Sequence, residues 1–375
     1  MRMLICLILC LLIPACAAAE DLQQSAQELI ASLQLGGLEK EIVHSGWFDQ
    51  DTQQLLQQLA SGQPVLSAQE VLQKLLKDAA GIFAKSIWRM TRLIAPVLLA
   101  ASAEWLHPGG QAARAARYAG LLMTAAVLVV DLQEYVQLTQ ETVGSMADCM
   151  QALFPILVTL LAAVGGTAGS AFYQPAMMAA AGTMTTLIRQ VTMPLAVSVA
   201  VLTMVDALSD GVRVGRLRRL LRQTANWTLG LGFTVFIGVM TVQGLSTAVV
   251  DGVSIRTAKY AMNHFIPIVG GMFSDTVDTL VGCSLVVHNA VGTLGLLLLL
   301  GKLLLPLVRI VLAQFLYRSA SALLEPMADS PLCRAIGDYA EVFSLLFAIQ
   351  LSVGAMFLLL IAQVMMVGDL TVMLR

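Results

Sequence analysis

The chain has 375 residues, of which 58% are hydrophobic and only 12% charged, with 22 Lys and Arg against 24 Asp and Glu. A soluble domain carries about a quarter charged residues, so this composition, with a mean hydropathy of +0.79, excludes an ordinary soluble fold and implies a polytopic membrane protein. Near-neutral charge and the lack of a Lys/Arg stripe interleaved with aromatics argue against nucleic-acid binding.

The chain opens with Arg2, an apolar run from Met3 to Ile13 and small residues from Ala15 to Ala19, which read as a cleaved signal peptide over residues 1–19. Ala17-Ala18-Ala19 suits a signal peptidase; Ile13-Pro14-Ala15-Cys16 is a weaker lipobox-like alternative that would leave Cys16 lipidated. Either way, residue 20 onward is expected outside the cytoplasm. Removing the leader leaves Cys149, Cys283 and Cys333, widely spaced and in mostly apolar surroundings, so buried thiols are expected and no disulfide framework.

Residues 20–85 form an expected extracytoplasmic amphipathic helical region. Leu22, Leu29 and Leu33, then Leu55, Leu56 and Leu59, recur at helical spacing, punctuated by Gly36-Gly37 and by Ser61 to Pro64. The region is too small for a large core of its own and should pack on the membrane domain or a partner. From Ser67 to Met90, Val71, Leu72, Leu75, Leu76, Ala79, Ile82 and Phe83 mark one apolar face, with Lys74, Lys77, Asp78 and Lys85 elsewhere, the pattern of an interfacial helix.

Residues 86–375 form the membrane domain, with apolar segments near 90–106, 115–131, 149–168, 175–206, 225–250, 261–287, 290–313 and 341–367. The expected fold is all-α, a bundle with about six to eight membrane segments, some broken or re-entrant. Arg213, Arg216, Arg218, Arg219 and Arg222 make the region near 209–224 a basic cytoplasmic loop by the positive-inside rule. Four simple crossings before it, starting outside, would put it outside again. The expected remedy is a helix broken between Arg189 and Pro194, or residues 90–106 lying in the interface. Pro267, Gly270 and Gly271 suggest a second break. Gly165, Gly166 and Gly169 suit close helix packing.

Charged groups inside such segments are expensive and usually face a bundle interior or a water-filled space. Arg189, Asp206, Asp275, Asp278 and His288 are therefore the candidate membrane-embedded or pore-lining residues. Arg189 and Asp206 could pair across the break. Asp275 and Asp278 share a helix face, either lining a polar space or solvated on an extracytoplasmic helix. Lys302 and Arg309, seven apart, read as snorkelling cations. Catalytic signals are missing: there is no HExxH, no GxSxG and no phosphate loop, and His44, His107, His264 and His288 are scattered. No enzyme activity, metal or cofactor is expected.

Several long runs resemble the stage III sporulation protein AE family: LIRQVTMPL at 187–195, RLRRLLRQTANWTLGLGFTVFIGVMTVQGL at 216–245, DGVSIRTAKYAMNHFIPIVGGMFSDTVDTLVGCS at 251–284, HNAVGTLGLLLLL at 288–300 and LLEPMAD at 323–329. The likeness covers residues 150–367 well and the front of the chain in layout only. It implies a subunit of the stage III sporulation A complex, in the mother-cell membrane around the forespore. There it would join a channel or secretion-like assembly that includes, across the intermembrane space, the forespore partner stage II sporulation protein Q, and would sustain forespore gene expression after engulfment. The resemblance carries over no catalytic residues. A secondary transporter or permease, with Arg189, Asp206, Asp275 and Asp278 lining a broken-helix site, is the alternative.

Overall fold

The computed structural model describes residues 29–30, 36–45, 52–63, 65, 68–106, 110–164, 167–208, 214–265, 270–326 and 331–373. The signal peptide, Cys16, Gly165, Gly166, Arg213 and Pro267 lie outside them, as do the side chains of Asp275 and Asp278 within a described helix; Gly169, Gly270 and Gly271 are placed there by backbone alone. All regular structure among the described residues is helical. In chain order the elements are α1 (Gly36–Ser45), α2 (Thr52–Ala60), α3 (Ala68–Leu106), α4 (Gln111–Ala163), α5 (Thr167–Leu187), a π-helical turn (Ile188–Thr192), α6 (Met193–Leu208), α7 (Gly215–Phe265), α8 (Gly270–Leu324) and α9 (Pro331–Met373).

Five helical stretches among the described residues are long and apolar enough to cross a membrane: Arg114–Ala163, Met177–Asp206, Gly215–Gly244, Thr279–Leu324 and Cys333–Met373. The count falls below the six to eight expected because segments 115–131 and 149–168 belong to one helix, α4, and 261–287 joins 290–313 in α8, apart from the end of α7 and residues 266–269. Nothing in the backbone forbids this. In apolar surroundings a continuous helix satisfies every internal N–H and C=O, so a polar stretch does not by itself end one. Hydroxyls are satisfied the same way: Thr124, Thr139, Thr142 and Thr203 each donate to the carbonyl four residues earlier at 2.7–2.8 Å.

With 115–131 merged into 149–168, two stretches among the described residues that are long and apolar enough to cross, Arg114–Ala163 and Met177–Asp206, precede the arginine cluster. α3 is a 39-residue helix packed along α4 and joined to it by Arg89 to Glu134 at 2.6 Å; it is not among the five stretches long and apolar enough to cross. The expected break between Arg189 and Pro194 takes the form of a π-helical turn, and the helix runs on through it. Pro194 has no N–H and its ring would crowd the carbonyl four residues back; the π-helical turn before it widens the helix, and Met193 N–H reaches the Ile188 carbonyl instead.

α9 forms the centre of the bundle. Its Tyr339, Phe343 and Phe357 are fully buried, while α7 keeps Leu231, Val235 and Val242 on the outer surface. An aromatic cluster ties α4, α8 and α9 at one end. Phe343 stacks on Tyr317 at 4.8 Å and meets the Tyr135 ring edge-on at 5.0 Å; the Tyr339 hydroxyl donates to the Leu128 carbonyl at 2.6 Å, and the Tyr317 hydroxyl to Asp131. At the same end the expected arginine loop is largely helix, because α7 begins at Gly215. Arg218 pairs with Asp338 of α9 at 2.7 Å, Arg222 pairs with Glu341 and donates to the Ser344 hydroxyl at 3.1 Å, and Arg216 and Arg219 stay exposed.

The α8–α9 interface is the most intimate. A Cβ on Gly354 would lie 2.4–2.9 Å from three Leu303 atoms, and one on Gly292 2.5 Å from Met365 Cγ and Sδ. These glycines lie where sequence reading saw no small-residue motif. Gly354→Ala is expected to destabilise the detergent-solubilised protein by about 1–3 kcal/mol in thermal unfolding, and Gly292→Ala by less, since unbranched Met365 can swing aside. Equal losses would contradict this packing. For topology, single cysteines at 110 and 216 should share one side of the membrane and those at 163 and 373 the other, read with an impermeant maleimide before and after permeabilisation. A split between 110 and 216 would exclude α4 and α5–α6 as two traverses.

Candidate functional site: a charged groove midway along the bundle

Lys302 lies 23 residues from the first and 22 from the last residue of the apolar stretch Thr279–Leu324. Its side chain is 8% exposed, so it turns inward and does not snorkel. The ammonium has three donors, and three acceptors meet it: a Glu41 carboxylate oxygen, the Ser145 hydroxyl at 2.7 Å and the Ser145 carbonyl at 3.3 Å. Arg309, seven residues on, is exposed as expected of a surface cation.

Glu41 is carried there by α1, whose Leu38 and Ile42 are buried in the same core as Leu55 and Leu56 of α2. At Gly37 α1 comes close to α4, where an added Cβ would stand in ordinary contact, 3.6 Å, with that of Ala152. The short helices of the front region thus pack on the membrane domain, at mid-length of its longest helices.

Beside this ion pair runs a groove of about 720 Å³ lined by Lys40, Glu41, Glu141, Gly144, Asp148 and Arg189, together with Gln140 and Ser145. Most of the lining comes from one face of α4, where Glu134, Gln137, Glu141, Gly144, Asp148 and Gln151 recur at three- and four-residue steps. Gln137 donates to Glu141 at 2.8 Å. Arg189 reaches the groove from the π-helical turn, and its Nη2 lies 3.0 Å from where a Gly144 Cβ would be, so the guanidinium rests close against the α4 backbone there. The extra residue of the π turn turns Arg189 away from the core while Ile188 and Thr192 stay buried.

Of the five candidate polar residues, Arg189 alone is placed in this groove. Asp206 does not pair with it: some 17 residues separate them along a helical stretch, about 25 Å at 1.5 Å per residue. Asp206 instead accepts from the Val214 N–H at 3.2 Å and lies against Gly215, holding the first turn of α7, where a carboxylate is favoured. His288 is fully buried against Gly368 of α9, and neither ring nitrogen has a hydrogen-bond partner among the described residues; next to it Asn289 donates to Asp369 at 3.0 Å. Asp275 and Asp278 fall in the first turns of α8, their side chains outside the described residues. Lys302, Glu41, Glu141 and Asp148 were missed as site residues. For Glu141 and Asp148 the signal was available in the polar stripe from Glu134 to Gln151, had that stretch been taken as helix and not as the link between two segments. Cys149, Cys283 and Cys333 are buried, as expected.

The fold and the groove define an all-α membrane protein with charged groups held within its bundle. Comparison with known proteins adds the family: the model for stage III sporulation protein AE matches residues 50–368, and the chain belongs to that family. It is 28% identical over 365 residues to the stage III sporulation protein AE of Bacillus subtilis (strain 168), covering 95% of this chain and 92% of the relative. No solved structure matches. This is a sporulation protein, and the family's name implies membership of the stage III sporulation complex.

Removing one partner of the Lys302–Glu41 pair leaves the other charged at low exposure, so Lys302→Met is expected to cost about 3 kcal/mol. Lys302→Met with Glu41→Leu should recover much of that loss in thermal unfolding of the purified protein. A double variant as unstable as the sum of the singles would show that the two charges are uncoupled.

Proposed function

We propose that this protein is an integral component of a channel or secretion-like complex that links mother cell and forespore and sustains late forespore gene expression after engulfment. It sits in the mother-cell membrane around the forespore and works beside other stage III sporulation A subunits, and through them with stage II sporulation protein Q. It catalyses no reaction of its own. The observation that carries this reading is the charged groove midway along an apolar bundle. A passive anchor has no use for charges at that depth, each costing about 2.5–3.5 kcal/mol on insertion scales, whereas a protein that lines or flanks a polar passage does. Family membership supports the sporulation role.

The test is photo-crosslinking in sporulating cells from positions 76 and 88, outward-facing on α3, where Leu76 and Trp88 are 61% and 73% exposed. Adducts with another stage III sporulation A subunit are expected, together with a fall in spore yield for Lys302→Met protein that still fractionates with membranes. Crosslinks to lipid alone at both positions, with wild-type spore yield for the variant, would refute the assembly role. A secondary transporter is the second reading, favoured by the π-helical turn that brings Arg189 to a site halfway along its span. Solute accumulation by the protein alone in proteoliposomes would establish it.

A further inference from the structure

Arg189 borders two cavities at once. On one side is the charged groove; on the other is a cleft of about 610 Å³ between α4, α5 and α9, walled by Met150, Phe154, Met177, Met178, Phe357 and Leu360. No carboxylate among the described residues forms an ion pair with its guanidinium. Glu141 and Asp148 lie one turn to either side of Gly144, the residue against which Arg189 rests, and both are exposed to the groove. A cation thus sits between two carboxylates, about 5–6 Å to either side along the helix, with an apolar cleft opening beside it.

We propose that this composite site binds an aminophospholipid of the bilayer. The phosphate lies on the Arg189 guanidinium, with Lys40 as a second cation on the groove; the ammonium lies on Glu141 or Asp148; one acyl chain enters the methionine-walled cleft. Charge decides the head group. A purely anionic lipid would bring negative charge between Glu141 and Asp148, and a choline head offers no N–H to them. Glu41 does not compete, because Lys302 already holds it. Shape decides the tail. The cleft opens on the outer surface, where Met178 is 57% exposed and Gln190 is also exposed, so a bilayer lipid enters sideways, and flexible methionines accommodate a chain without a fixed shape. A free amino acid would satisfy the charges but leave most of the cleft unfilled. This inference rests on the groove and on membrane embedding, not on the channel assembly, and the purified protein tests it alone.

The experiment is native mass spectrometry of the full-length protein equilibrated with vesicles of equimolar phosphatidylethanolamine, phosphatidylglycerol and phosphatidylcholine, counting the lipids retained. Wild type should retain phosphatidylethanolamine about tenfold over phosphatidylglycerol, and Arg189→Gln should remove most of that preference, as loss of a charge-assisted contact predicts. Glu141→Gln with Asp148→Asn should turn the preference toward phosphatidylglycerol, a gain that misfolding cannot mimic. Equal retention of the two lipids by wild type, or a preference untouched by Arg189→Gln, would overturn the site as annular lipid only. Displacement of the lipid by millimolar leucine would overturn it in favour of a free amino acid.

Discussion

Lys302 places a full charge at the middle of a helix that is apolar for more than forty residues, and a charge at that depth must be neutralised from within the bundle. Neither neighbour along α8 does it. The neutralising groups come from Ser145 on α4 and from Glu41, which belongs to the short helix α1 near the front of the chain. That one requirement draws a segment of modest hydrophobicity into the core, aligns α4 so that its polar stripe faces the same place, and leaves an open polar space where Arg189 also arrives. The groove is thus a consequence of how one ammonium is satisfied.

A second set of contacts fixes the opposite demand, that the long helices keep their register. Glycines at 292 and 354 let α8 and α9 approach until backbone meets side chain, Gly295 admits Leu153 of α4, and the Tyr135, Tyr317, Tyr339 and Phe343 rings close the space between α4, α8 and α9 at one end. Arg218 and Arg222 add ion pairs to α9 at that end, partly exposed and therefore worth little individually, but placed where they set the rotation of α7. Rigid packing on this side of the bundle contrasts with the open groove and cleft around Arg189, and binding is best served by a site framed in this way.

Membrane embedding, the helical class, the family and the burial of the cysteines were all legible in the residues, because they follow from summed hydropathy and from long runs of identity in order along the chain. The number of traverses was not. Polar residues between Leu132 and Gln151 look like a loop when each window is judged by its mean hydropathy, yet they continue one helix, because in a bundle a polar stripe can face other polar groups while the backbone stays hydrogen-bonded to itself. Pro194 likewise signals a break but produces a π-helical turn, the smaller adjustment that relieves the same clash.

The same division governs the site. Residue type and depth alone picked out Arg189 as a charge with work to do in a membrane segment, since its insertion cost is a property of the residue and its neighbours in sequence. Which charges it meets, that Asp206 caps α7 some 25 Å away along the helix, and that Lys302 is held by Glu41, 261 residues distant in the chain, depend on how helices dock. Sequence by itself determined that charged groups lie within membrane-capable segments of this protein. Only the tertiary structure decided their partners, because electrostatic neutralisation acts through space and is indifferent to separation along the chain.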